Sequence, residues 1–321
     1  MQITLLGTSS GVPTKQRNVS ATAFNLKNNK EWFLVDCGEA TQQQVLRTKF
    51  SLLKLKAILI THMHGDHIHG LPGLLSSMQL SGRKNKLQII GPKTLETYIT
   101  SVFNFSQSYI DYPIEYLAVE ELEDVYFGHS IKIKCHELSH RINSYAYQFI
   151  EIPSHIKLDV NKLRQDNIPE GETWGRVQRG ERVTLKNGSV IMGEDYFLPL
   201  DSARSIIISG DNDNPDLLEN ACNNADVLVH EATFTQLILD KVGAASQHSS
   251  AQQIAKFAQR NSLKNLVLMH FSARYHYNRN QVSSIAEVEQ EARKYFFGNL
   301  FLANDFDCFE LSKAGILSKL N

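Results

Sequence analysis

One short run constrains this chain more than any other: Thr61-His62-Met63-His64-Gly65-Asp66-His67, directly after the apolar β-favouring run Ala57 to Ile60. It puts four ligand-type side chains within six positions. In extended backbone, alternate side chains share a face, so His62 and His64 can reach one ion; a turn through Gly65 then aims Asp66 and His67 at a neighbouring position. Such a loop calls for two divalent cations. Buried without them, its ring nitrogens and carboxylate would need other partners in a place that excludes water. Imidazole and carboxylate without thiolate suit Zn²⁺, with Mn²⁺ or Fe²⁺ as alternatives. His69, just beyond the run, is expected at the surface or behind a ligand rather than on the metal.

Two ions need more donors than one loop supplies, and further donors stand at the ends of other apolar runs. Ile131 to Leu138 ends near His140, Ile206 to Gly210 delivers Asp211, and Leu266 to Met269 delivers His270. Strand ends of layered α/β folds converge on crevices, which makes a common site of these residues. The same alternation sets the fold class. Ile3 to Leu6, Val19 to Leu26, Trp32 to Val35 and Val227 to Val229 also read as strands, whereas the segments after Asp66, Pro92, Asn214 and His248 read as helices. In Ser250 to Gln259, residues Ala251, Ile254, Ala255 and Ala258 recur with the spacing of one buried stripe. The expectation is an α/β chain of two sheets with helices packed outside.

Residues 155–192 break the alternation. They are polar, contain Pro169, Gly171, Gly175, Gly180 and Gly188, and sustain no period, so they are read as a flexible arm inserted into a single domain spanning 1–321. From Trp174 to Lys186 the arm holds Arg176, Arg179, Arg182 and Lys186 against Glu181 alone, in a chain whose 33 Lys+Arg and 34 Asp+Glu otherwise balance to a net charge of -1. A polyanionic partner must therefore be held by local basic clusters, although a solvated hairpin would have the same charge pattern. No stretch approaches the ~18 consecutive apolar residues of a membrane span, and the first residues lack a leader pattern. The four cysteines, Cys37, Cys135, Cys222 and Cys308, form no C-x-x-C and are read as buried thiols of a cytoplasmic chain.

The pattern His62-x-His64-x-Asp66-His67 with His140, Asp211 and His270 resembles the metal signature of the metallo-β-lactamase superfamily. Further motifs resemble those of its short-form tRNase Z family: Pro13-Thr14-Lys15-Gln16-Arg17-Asn18, His230-Glu231-Ala232-Thr233-Phe234, His248-Ser249-Ser250 and Ser272-Ala273-Arg274-Tyr275. The similarity runs in order from about Leu5 to Tyr275. It implies an αβ/βα sandwich and a zinc-dependent endoribonuclease that removes the 3′ trailer of precursor tRNA, leaving a 3′ hydroxyl on the tRNA and a 5′ phosphate on the trailer. It further implies two Zn²⁺ per subunit, one held by His62, His64 and His140, the other by Asp66, His67 and His270, with Asp211 bridging. Asp36 would accept a hydrogen bond from a ligand imidazole. An arm that grips tRNA and a homodimer belong to the same implication. This chain departs from the pattern in two places: Ser250 stands where a threonine is expected, and Glu172-Thr173 where many relatives have Gly-Pro.

Phosphodiester hydrolysis also needs a proton donor outside the metal shell, and His248 oriented by Glu231 fits that task, with Asp66 orienting the attacking water. His230 reads equally as a further support of the ligands or as a buried structural imidazole. Lys15, Arg17 and Asn18 offer phosphate and base-edge contacts, and Arg274 a phosphate fork, although a solvated turn and a structural ion pair account for the same residues. Arg176, Arg179 and Arg182 are the candidate arm contacts. Two other functions use the same metal ligands: hydrolysis of a small cyclic phosphate or thioester, and non-catalytic RNA binding.

Overall fold

The computed structural model describes residues 1–152, 157–198 and 203–320, so the first two residues of the expected arm, His155 and Ile156, lie outside the described residues. The chain forms two units, Met1–Tyr126 with Lys132–Ile150 and Arg204–Asn321, and Phe127–Ile131 with Glu151–Ala203.

Two sheets carry the larger unit. The first has eight strands in the order Leu317–Leu320, Cys308–Leu311, Gln2–Gly7, Ala21–Asn25, Trp32–Val35, Leu55–Leu59, Leu87–Gly91 and Ile114–Ala118. The second has seven, ordered Asn299–Leu302, Asn265–Met269, Val227–Glu231, Ser205–Ser209, Ser144–Glu151, Ile131–Leu138 and Asp124–Phe127. Strand Trp32–Val35 shows how the layers assemble. Trp32 and Leu34 pack with Leu71, Leu74, Leu75 and Met78 of helix Leu71–Leu80. Phe33 turns to the other face, where Phe33 and Phe24 meet Phe149 of the second sheet, with ring centroids 5.8 and 4.1 Å away. Covered on both faces, such strands read as unbroken apolar runs rather than as alternating ones. Behind the second sheet, helix Ala251–Arg260 buries the predicted stripe against Leu228, Leu266 and Leu268. A capping box starts this helix: Ser250 accepts from the Gln253 backbone while Gln253 accepts from the Ser250 backbone. The layering is helix, sheet, sheet, helix, as expected from the sequence.

Parallel pairing brings the working loops to one edge. Val35 pairs with Leu59 in the first sheet and Val229 with Val267 in the second, so those strands end level. Bonds across that edge tie the sheets together: Tyr147 Oη donates to the Ile60 carbonyl (2.7 Å) and the Tyr145 amide to Thr61 (3.0 Å), while within the second sheet the Gly210 amide donates to Tyr145 (3.1 Å). The loops here approach so closely that a Cβ on Gly70 would lie 2.0 Å from the Gly38 carbonyl oxygen, which only glycine permits.

The smaller unit, which contains most of the expected arm, has secondary structure that the sequence pattern did not show. It contains helices Val160–Gln165 and Glu172–Gln178, a hairpin of Arg182–Thr184 with Val190–Met192, and its own small core of Leu163, Ile168, Val177, Val183 and Tyr196. Asp159 caps the first helix by accepting from the Lys162 amide (2.9 Å), and Trp174 Nε1 donates to the Ile168 carbonyl (3.0 Å). Its helices are only six and seven residues long, too short for a period to show in sequence. Elsewhere, the four cysteines are free thiols, with Cys37 and Cys222 buried and Cys135 and Cys308 only partly so. Among the described residues, no helix is long and apolar enough to cross a membrane.

Candidate metal centre

The loops at the shared sheet edge bring seven donor residues together. His62 follows strand Leu55–Leu59, His140 follows Ile131–Leu138, Asp211 follows Ser205–Ser209 and His270 follows Asn265–Met269. They form two clusters that share Asp211. In the first, His64 Nδ1 lies 3.1 Å from both His62 Nε2 and His140 Nε2, and Asp211 Oδ2 lies 3.6 and 3.7 Å from those two nitrogens. In the second, Asp66 Oδ2 is 3.5 Å from His67 Nε2 and 3.4 Å from His270 Nε2, while Asp211 Oδ1 is 3.6 and 3.3 Å from the same atoms. Metal bonds of ~2.0–2.1 Å in a tetrahedron set neighbouring donors roughly 3.3 Å apart, so these edges suit an ion inside each cluster.

On four of the five ligand imidazoles the ring is held from behind. His67 Nδ1 donates to Asp36 Oδ2 (2.7 Å), and His140 Nδ1 donates to the Gln247 carbonyl (2.8 Å). His62 Nδ1 meets Thr61 Oγ1 (3.0 Å), whose hydroxyl reaches Asp36 Oδ2 (2.9 Å). His270 Nδ1 likewise meets Thr233 Oγ1 (3.0 Å), whose hydroxyl reaches Glu231 Oε2 (2.5 Å). With Nδ1 so occupied in these four rings, their Nε2 atoms face the clusters, whereas His64 faces its cluster through Nδ1. His67 Nε2 is buried with no hydrogen-bond partner at all. Burial alone would lower the pKa of His67, yet Asp36, Asp211 and Asp66 outweigh it and raise it well above the ordinary value. The surroundings therefore favour positive charge at this spot. An orphaned donor nitrogen, a surplus of buried carboxylate and an all-nitrogen-and-oxygen donor set fit divalent metal ions. Backbone strain marks the same spot, since Asp36 and His270 both hold left-handed φ angles, 60° and 56°.

His248 stands beside the clusters, its ring centroid 5.1 Å from that of His140 and 5.5 Å from that of His270. Its Nδ1 donates to both oxygens of Glu231 at 3.1 Å. Burial opposes the imidazolium, but Glu231, with Asp211 and Asp66, pushes its pKa up to about 9. Burial likewise opposes ionisation of Glu231, and His248 holds its carboxyl below the usual range. The pair is thus an oriented imidazolium on a buried carboxylate. The clusters open into a cleft of about 300 Å³ that His248, Glu39, His69 and Arg141 also line.

Other residues fare differently. Arg17, expected to face a substrate, is turned inward and is 6% exposed. Its guanidinium donates to Thr8 Oγ1, the Ala303 carbonyl and Asn304 Oδ1 (2.6, 2.6 and 2.9 Å) and lies over the Phe271 ring, so its donors are spent inside the protein. Burial lowers its pKa accordingly. Asn18 donates to the Glu39 carbonyl (2.7 Å), whereas Lys15 is exposed. His230 is buried; its nitrogens meet Asn212 Nδ2 (3.1 Å) and the Glu231 carbonyl (2.8 Å), which is the structural alternative. Arg274 is exposed, bonded to Ser272 Oγ (3.0 Å) over the Phe234 ring. His69 sits half-exposed, 3.5 Å from Glu39. In the smaller unit, Arg176 and Arg179 both pair with Glu181 (2.9 and 2.6 Å).

Sequence reasoning assigned no role to Thr61, Thr233, Gln247 or Arg141. A hydroxyl one residue before His62 was a usable signal for Thr61. Gln247 acts through its backbone, so nothing in its side chain advertised it. Asp36→Asn, which removes the charge facing His67 Nδ1, is expected to weaken metal affinity by roughly 10–100-fold, measured by competition with a chromogenic chelator.

With this geometry in hand, the chain can be compared with known proteins, and the full-length relatives decide its family. A family model described as anti-Pycsar protein Apyc1 matches residues 1–156. Ribonuclease Z of Marinobacter nauticus is 44% identical over 321 residues, covering 100% of this chain and 99% of that protein. The crystal structure of the short form of human tRNase Z superposes with a TM-score of 0.65 at 25% identity, covering 97% of this chain and all of that one. A metallo-β-lactamase fold protein of Bacillus subtilis reaches a TM-score of 0.64 at 17% identity over 96% of this chain and 97% of its own, a likeness of fold alone. The two-sheet sandwich is the metallo-β-lactamase fold, and the chain belongs to the ribonuclease Z family.

Proposed function

We propose that this chain is an endoribonuclease that removes the 3′ trailer from precursor tRNA in the cytoplasm, working with two Zn²⁺ per subunit. The observation that carries the reading is the pair of donor clusters sharing Asp211, with the His248–Glu231 pair at their side, in a chain of full-length likeness to ribonuclease Z. His62, His64, His140 and Asp211 would hold one ion, and Asp66, His67, His270 and Asp211 the other. When bound, such a pair supplies an activated water near neutral pH and neutralises charge on the phosphate.

The remaining work falls to side chains. Asp66, whose Oδ2 also accepts from the Gly11 amide (2.7 Å), orients the attacking water and takes its proton. His248, held by Glu231, delivers a proton from its other nitrogen to the departing 3′ oxygen of the tRNA. Lys15, Asn18 and Arg274 contact the strand around the cut, and Arg176, Arg179 and Arg182 contact the body of the tRNA. Asp36 orients His67. The acids at Glu172 and Glu181 moderate the arm's positive charge, so the grip relies on few phosphate contacts.

A small-molecule hydrolase would use the same donors, but it gives no reason for a second unit that gathers Arg176, Arg179 and Arg182 within seven positions. Replacing residues 157–198 by a short Gly-Ser linker separates the two readings: cleavage of precursor tRNA is expected to fall by at least tenfold more than hydrolysis of bis(p-nitrophenyl) phosphate. Equal losses on both would favour the small-molecule enzyme.

The division of labour is tested by two substitutions. His64→Ala is expected to lower bound zinc and activity together, measured by elemental analysis and gel assays. His248→Ala is expected to keep zinc while slowing turnover roughly 10²–10⁴-fold, the usual contribution of a positioned general acid. Loss of zinc in His248→Ala would make it a ligand instead.

The proposal includes a homodimer. In support, the large unit leaves Leu46, Leu80, Phe105 and Tyr109 exposed, apolar side chains that a second copy would cover. Sedimentation equilibrium is expected to give about twice the chain mass of 36.3 kDa, and a purely monomeric profile would remove this element.

A further inference from the structure

Beside the metal cleft lies a second one, of about 410 Å³, bounded by Lys15, Asn18, Arg47, Tyr277 and Phe306. We propose that it holds one nucleobase of the RNA strand flanking the cut, stacked on Tyr277, with that nucleotide's phosphate on Lys15 and Arg47. The proposal rests on the reading of the chain as a precursor-tRNA nuclease and adds to it a subsite next to the reacting bond.

Adjacency comes first. Asn18 lines this cleft, Glu39 lines the metal cleft, and Asn18 Nδ2 donates to the Glu39 carbonyl (2.7 Å). One hydrogen-bonded pair of residues is thus common to both walls, and the loop they brace also donates the Gly11 amide to Asp66 (2.7 Å). A strand whose phosphodiester sits at the donor clusters has its neighbouring nucleoside at this second opening.

Chemistry comes next. The ring of Tyr277 is 48% exposed, yet its inner face is fixed: the Arg17 guanidinium lies 5.5 Å from its centroid and 4.8 Å from that of Phe271. This gives the inward-turned Arg17 a role as the support of a stacking platform rather than as a phosphate contact. Across the cleft, Phe306 carries the Arg47 guanidinium 4.1 Å above its ring and holds a φ of 69°. A bulky residue in that left-handed region is strained, and such strain persists where the surroundings demand one geometry. The carboxylate present, Asp305, accepts from the Thr8 hydroxyl (2.7 Å), the Asn18 amide (2.6 Å) and Gln44 (2.9 Å), and the nearby Arg17 guanidinium offsets its charge, so Lys15 and Arg47 set the sign of the opening. An exposed aromatic face between cations is the chemistry that captures single-stranded RNA, base on ring and phosphate on cation.

The nucleotide is either the last of the tRNA or the first of the trailer, and one experiment distinguishes them. Steady-state cleavage is measured with metal-loaded enzyme on a parent precursor tRNA and on two versions made abasic at one or the other position. Wild type is expected to show a roughly 10-fold higher KM for one abasic substrate, with kcat changed less, as for loss of one base stack. Tyr277→Ala is expected to show that same rise on the parent and no further loss on that abasic substrate, while Tyr277→Phe follows wild type. Circular dichroism checks folding, and Tyr277→Leu replaces Tyr277→Ala if the latter does not fold. Indifference of wild type to both abasic positions, or equal further losses in wild type and Tyr277→Ala, would overturn the subsite. Failure of wild type to cut the parent substrate would instead overturn the nuclease reading itself.

Discussion

The site depends on imidazole rings that cannot choose their tautomer. Asp36 and Glu231 are buried carboxylates, and each commands two rings. Asp36 takes His67 directly and His62 through the Thr61 hydroxyl; Glu231 takes His248 directly and His270 through Thr233. In both halves of the molecule a carboxylate and a hydroxyl thus decide which ring nitrogen faces the cleft. The resulting crowd of lone pairs would be repulsive without a cation, which makes the cluster a metal centre rather than a polar core.

The sandwich exists, in functional terms, to bring those two halves together. Phe24, Phe33 and Phe149 stack between the sheets, and Tyr147 crosses from one sheet to bond the strand end that precedes the His62 loop. Fixing a loop of this kind costs conformational entropy, which the burial of strands on both faces offsets. The strain held at Asp36 and His270 is tolerated for the same reason, because the packed strands behind them leave the loops little freedom.

Electrostatics are local throughout. A net charge of -1 gives no long-range attraction for a polyanion, so recognition must come from small groups of cations on distinct surfaces. Three of the arginines singled out for that task are partly committed elsewhere: Arg176 and Arg179 share Glu181, and Arg17 serves the interior. Lys15, Arg47 and Arg274 remain at the surface of the large unit, and Arg141 lines the metal cleft.

The donor types and their chain positions were legible in the sequence because metal ligands cluster in short motifs at strand ends, and apolar runs mark the strands. Helix Ala251–Arg260 was legible because its buried stripe repeats with the helical period, and the strand Ile131–Leu138 because it is long and bounded. The fold of the smaller unit was not, since elements of three to seven residues carry too little periodicity to register. Sequence could name Arg17 as a cation but not its direction, because whether a guanidinium faces water or Phe271 is set by which distant segments close around it. The carbonyl of Gln247 behind His140, and Tyr277 on its bed of Arg17, belong to the same class. Such contacts join residues far apart in the chain, and only the packed fold brings them within bonding distance.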